Sequence, residues 1–192
     1  MEPLKSVYAH DRSSWREWLA ENFEKESEVW LVFPKKGSGE SGISYNDAVE
    51  EALCFGWIDS TIKTLDKNHR IQKFSPRKKG SPYSRSNIER LLWLEGQGML
   101  HPKVKASVIE IINKAYLFPE DIVEYIRIDK KAWENYIKFT PAYQRIRIAY
   151  IDGARNRPEE FKRRLENFIR KTRENKLIGY GGIDKYYNIE KH

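Results

Sequence analysis

A chain of 192 residues with 40% hydrophobic and 13% aromatic content can build one large domain or two small ones, which excludes a disordered polymer. Lys and Arg number 35 against 28 Asp and Glu, and the resulting net charge of +7 favours anionic partners such as phosphates, nucleic acid or acidic surfaces. One cysteine, Cys54, excludes an internal disulfide and a cysteine-cluster metal site, and no run of about 18 apolar residues exists for a membrane span.

Residues 1–10 show no periodicity and read as an extended lead-in, with no apolar stretch of the kind a secretory signal needs. A cytoplasmic location is therefore expected. Ser14 followed by Glu17 reads as a capping box, and Trp15, Trp18, Leu19 and Phe23 mark one face of a first helix. The run Glu28–Phe33, closed by Pro34, predicts a strand covered on both sides. Three glycines between 37 and 42 make a loop, after which Ser44 caps a second helix that Gly56 ends in a left-handed turn. Cys54, between Leu53 and Phe55, reads as a buried structural thiol.

From Trp57 to Leu65 the side chains alternate, Asp66–His69 supplies turn residues, and Arg70–Ser75 runs back as a partner strand. Ser86 with Glu89 reads as a second capping box, opening a helix through Leu94. Beyond Pro102 the pattern is helical, with Pro119, Asp129, Thr140-Pro141 and Pro158 as helix starts and Tyr143, Ile146, Leu165 and Phe168 facing inward. The fold class is α+β: a small three-stranded antiparallel sheet packed with helices, then a C-terminal helical region. Residues 1–116 form the front domain and 117–192 the back.

The stretch Phe55–Asn87 carries residues that a plain core does not require. It places Asp59 and Ser60 on a strand after Trp57, Arg77 in a basic loop with Lys78 and Lys79, and Ser81, Tyr83, Ser84 and Asn87 at a hydroxyl-rich helix entrance. Arginine, hydroxyls and a helix N-terminus are the ingredients of an anion site. The same residues admit plainer roles, Ser86 capping and Arg77 pairing with Asp59. Asp59 could instead serve as a general base with Ser84 or Tyr83 as its partner, and the basic last helix leaves nucleic acid open as a partner, although 162/166 and 170/174 have ion-pair spacing. The four histidines and one cysteine lack metal-ligand spacing, and Glu50-Glu51 and Glu159-Glu160 read as surface charges; neither metal nor cofactor is expected.

The motifs Trp18-Leu19, Val29-Trp30-Leu31, Lys35, Tyr45, Ala48-Val49, Ala52–Ser60, Phe74–Arg77, Ser81, Tyr83-Ser84 and Asn87 resemble the bacterial YdeI or OmpD-associated family, also called bacteriocin-protection proteins. In the back half Trp133, Thr140-Pro141, Arg147, Tyr150-Ile151 and Ala154 follow in the order of that family's helical OmdA-like region. The resemblance implies the architecture and, through the family's name, a part in stress or bacteriocin tolerance. The resulting expectation is non-catalytic binding of a small anionic or polar ligand near Trp57, Asp59, Ser60, Arg77, Ser81, Tyr83, Ser84 and Asn87.

Overall fold

The structure is a computed structural model that describes residues 5–179. Its elements are β1 (Ser6–Tyr8), α1 (Arg12–Asn22), β2 (Val29–Pro34), α2 (Tyr45–Cys54), β3 (Trp57–Thr64), β4 (His69–Pro76), α3 (Arg85–Gly96), α4 (Pro102–Asn113), α5 (Glu120–Ile128), α6 (Lys130–Tyr136), α7 (Pro141–Asp152) and α8 (Pro158–Arg173). The chain divides into two compact units, one reaching to Pro82 and including Leu94–Ile109, the other holding Tyr83–Trp93 and the residues from Glu110 on.

The first unit is built on a sheet of four strands in the order β1-β2-β4-β3, not three, and it is mixed rather than antiparallel. The lead-in supplies the extra strand: Val7 lies opposite Leu31 in a parallel pair. Three residues are too few to display a period, which is why the sequence hides it. β2 is then an interior strand, and Val29 through Phe33 are all buried, as their unbroken apolar run demands. Alternation sends Trp30 and Val32, with Ile71 and Tyr8, to one face, where the Lys63 ammonium lies 4.6 Å from the Trp30 ring centre. On the other face Phe74, opposite Val29, meets the edge of Trp15 from α1.

Local signals place the helices with small corrections. Asp11, not Ser14, caps α1: its carboxylate accepts from the Ser14 amide at 2.8 Å while the Ser14 hydroxyl accepts from the Asp11 amide. Ser44 caps α2 as expected, and Gly56 follows that helix at φ +73°, a conformation a Cβ would strain. Ser84, not Ser86, faces the first turn of α3, and Glu89 reaches sideways to arginines instead of back to a cap.

One extra residue on β3 between the pairs Asp59–Phe74 and Ile62–Gln72 makes a bulge. Beyond it β3 leaves the core, and Ile62 is exposed. The β3–β4 turn is tied to the glycine loop through His69, whose two ring nitrogens meet Asp66 and Glu40 at 2.9 and 3.0 Å. Those hydrogen bonds, to Glu40 first and Asp66 second, raise the His69 pKa, while His69 and the Asn68 amide lower that of Asp66. A raised histidine stabilises fully below about pH 6.5 and loses its contribution as pH climbs through the raised value. His69→Gln should therefore reduce amide protection in residues 66–70 at pH 6 and leave it unchanged at pH 9. Equal losses at both pH values, read as hydrogen-exchange protection factors, would refute the tie.

The second unit gathers α5–α8 around Ile122, Ile126, Tyr136, Tyr143, Ile146 and Phe168, all buried. Asp129 separates α5 from α6, accepting from the Ala132 amide at 3.0 Å and pairing with Arg173. Thr140 precedes Pro141 at the start of α7, as the sequence indicates, but its hydroxyl makes no capping bond.

Candidate functional site

In the first unit the expected site residues have definite local partners. Trp57 is 1% exposed and its indole N–H donates to the Phe23 carbonyl at 3.1 Å, so it packs as core. Asp59, half-buried on the sheet face toward α2, accepts from the Tyr45 hydroxyl at 2.8 Å and from Gln72 Nε2 at 2.7 Å. It thereby fastens the start of α2 to the sheet edge. Ser60 points to solvent. The Arg77 amide donates to Gly56 O, which sets the basic turn beside the start of β3, and the guanidinium curls back over its own loop to Ser81 O, Ser81 Oγ and Pro82 O at 3.0–3.2 Å.

Tyr83, Ser84 and Asn87 belong to the second unit. Asn87 accepts from Arg90 at 2.9 Å, and Ser84 accepts from the Asn87 amide at 3.3 Å. Ser84 and Ser86 also line a hollow of about 310 Å³ with Arg85, Ile146, Ala149, Tyr150, Gly153 and Arg164. Of the hydroxyl-rich helix entrance, Ser84 lines this hollow, and the arginines there are Arg85 and Arg164, not Arg77.

A larger hollow in the same unit, about 440 Å³, is lined by Arg147 and Tyr150 from α7, Arg163, Arg164 and Asn167 from α8, and Ile178 and Gly179 after it. Arg147 is 3% exposed and donates to the Ile178 carbonyl, while its guanidinium lies 5.5 Å from the Tyr143 ring centre. Arg164 stacks on Tyr150 at 3.8 Å and donates to the Tyr150 carbonyl at 2.6 Å. One carboxylate, Glu160, bonds both Arg164 and Arg163, and those bonds hold its pKa below the ordinary range. A parallel arrangement stands at Glu89, buried and shared by Arg85 and Arg145. Guanidinium thus outnumbers carboxylate in both places.

The first unit has a hollow of about 640 Å³ edged by Lys35, Lys36, Arg70 and the glycine loop, but Glu40 lines it as well. Its charge is less one-sided. Among the described residues no three His, Cys, Asp or Glu side chains converge as a metal ion would need.

Sequence reasoning missed a second cluster. Glu50 and Glu51 are not surface charges: both are 0% exposed, clasped by Arg12 at 2.8 and 2.5 Å, with Arg16 on Glu51 at 2.6 Å. Burial opposes the Arg12 charge, but the bonds and charges of Glu51 and Glu50 outweigh it and raise the pKa. Burial, then the Glu51 charge, pushes the neighbouring Cys54 thiol up to about 12, so that sulfur stays protonated and unreactive. The i,i+4 spacing of Arg12 and Arg16 was the available signal.

Residues 7–107, just over half the chain, match the family described as Domain of unknown function (DUF8412). The chain belongs to the DUF8412 family. Residues 116–175 match a second family, described as Bacteriocin-protection, YdeI or OmpD-Associated, so the resemblance carried by the back-half motifs is shown there. No curated protein and no solved structure matches the chain. The motifs from Trp18 to Asn87 lie in the DUF8412 match, and with them Asp59, Arg77 and the buried Arg12–Glu51 cluster. Arg147, Tyr150, Arg163, Arg164 and Asn167 lie in the OmdA domain. No helix among the described residues is long and apolar enough to cross a membrane.

Proposed function

We propose that this DUF8412 protein binds an anionic ligand without transforming it, and that the arginine hollow of the OmdA domain holds it. The observation that carries the proposal is the convergence of Arg147, Arg163 and Arg164 on one hollow, where among the described residues Glu160, bonded to Arg163 and Arg164 from outside the lining, is the one carboxylate set against three guanidinium groups. Guanidinium forks match phosphate and carboxylate oxygens bidentately, and a partly enclosed site strengthens each such bond. Among the described residues the lining also contains no histidine, cysteine or serine to act as base or nucleophile, which favours binding over catalysis. A small ligand is favoured over a long nucleic-acid strand because the outer charges of α8 are answered by Glu166 to Lys162 and Glu174 to Arg170. A cytoplasmic setting and a part in bacteriocin or stress tolerance belong to the same proposal, supported by the free buried Cys54 and by the name of the second family.

Calorimetric titration with inorganic phosphate tests it. Binding is expected at low salt and should weaken with added sodium chloride. The double variant Arg163→Gln/Arg164→Gln should bind at least about 100-fold more weakly, given roughly 1.5–3 kcal/mol for each of two charged hydrogen bonds. Equal affinity of variant and parent, or no binding at low salt, would remove the proposal.

A further inference from the structure

The two hollows of the OmdA-bearing unit share a wall: Tyr150 and Arg164 line both. On one side of that wall stand Arg147, Arg163 and Asn167, which present charge and hydrogen-bond donors. On the other the floor is Ile146, Ala149 and Gly153, the last without a side chain, and the hydroxyls of Ser84 and Ser86 stand at its border beside Arg85, whose guanidinium is paired with the buried Glu89. A polar, cationic compartment therefore adjoins an apolar one that has a few hydrogen-bonding groups at its edge. Binding pockets for organic ligands commonly combine such an apolar body with a few placed polar groups.

The shared wall is itself a stacking surface. The Arg164 guanidinium lies 3.8 Å from the Tyr150 ring centre, Glu160 bonds its Nε at 2.7 Å, and the Tyr150 carbonyl accepts from its Nη1 at 2.6 Å. The guanidinium is thus held over one face of the ring. Flat rings favour such surfaces because dispersion and the ring quadrupole both reward an offset stack.

From this juxtaposition we infer that the anion is part of a nucleoside monophosphate: phosphate among Arg147, Arg163 and Arg164, base over Ile146, Ala149 and the Tyr150 ring, its polar edge toward Ser84 and Ser86. This rests on the anion-binding reading above and adds the second compartment to it. A bare phosphate uses only the arginine side. A sugar phosphate gains little more. A nucleotide uses both, whether it is free or terminates a strand.

The test compares inorganic phosphate, ribose 5-phosphate, AMP and a 5′-phosphorylated adenine pentanucleotide by calorimetry on the full chain. AMP should bind at least tenfold more tightly than ribose 5-phosphate. Ala149→Leu, which narrows the apolar floor and removes none of the three phosphate arginines, should abolish that gain while phosphate still binds. The parent comparison needs no variant, so poor folding of Ala149→Leu does not shield the inference. Equal affinities for AMP and ribose 5-phosphate overturn the nucleoside assignment while phosphate binding still stands. Failure of all four ligands overturns both readings. If the inference holds, a pentanucleotide that outcompetes AMP assigns the unit to nucleic-acid ends, and one that does not assigns it to free nucleotide.

Discussion

Replacing Arg12 with methionine is expected to cost the first unit about 3–5 kcal/mol, the range for removing one partner from a buried ion pair. The guanidinium meets three carboxylates, Asp47 at 3.0 Å, Glu50 at 2.8 Å and Glu51 at 2.5 Å, and two of these have no exposed surface. Methionine keeps most of the apolar stem but strands two charges away from water. Arg16 still reaches Glu51, so the stranding is not complete. That and the 29% exposure of the Arg12 side chain place the expected loss toward the lower end of the range. Arg12→Lys should fall between parent and methionine, because one ammonium cannot span three acceptors as a planar fork does. Urea unfolding followed by tryptophan fluorescence measures this, since Trp15, Trp18 and Trp57 all lie in the first unit. A loss under about 1 kcal/mol, the ordinary value of a surface pair, would show that the cluster is not structural.

Trp15→Ala is expected to cost as much or more, about 3–5 kcal/mol for the cavity alone. Trp15 is wholly buried, stacks on Trp18 at 5.2 Å, meets Phe74 edge-on at 5.4 Å and donates its indole N–H to the Ala48 carbonyl at 3.0 Å. Truncation opens a void among α1, α2 and β4 and removes the indole's hydrogen bond to a helical carbonyl. Trp15→Phe should recover much of the packing but not the hydrogen bond, leaving a deficit of about 0.5–1.5 kcal/mol for that bond, since the Ala48 carbonyl lies within α2 and keeps its place in the helical ladder. If alanine and phenylalanine proved equally harmful in the same unfolding experiment, the hydrogen bond and not the cavity would dominate.

These two sites mark how far the sequence could be read. Trp15 and Leu19 are found buried because a helical stripe of large apolar residues has one economical place to go. The β2 run, the β3–β4 hairpin and the Ser44 cap were legible for the same reason: each signal is complete within a few neighbouring residues. The Arg12 cluster was not. Adjacent acids on a helix normally face water, and nothing near Glu50 and Glu51 announces that α1, more than 30 residues earlier, brings two arginines to the pair. β1 was hidden by its length and by a parallel partner that no turn predicts. For the site, the serines at the start of α3 were read together with Asp59 and Arg77, whereas the hollow that Ser84 and Ser86 line is shared with Arg85 and Arg164. Its arginines come from α3 itself and from α8, and the convergence of Arg147 with Arg163 and Arg164 depends on how α7 packs against α8, which no local pattern encodes. Asp59 and Arg77 stood out as chemistry. In the fold Asp59 fastens Tyr45 and Gln72, and Arg77 braces its own loop.

The anion site is tested most directly by the side-chain Nε–Hε resonances of the arginines, followed by nitrogen-edited NMR as phosphate is added at low salt. The signals of Arg147, Arg163 and Arg164 are expected to move together along one saturable curve while that of Arg77 stays in place. Shifts spread evenly over surface arginines, or confined to Arg77 in its loop, would contradict the account.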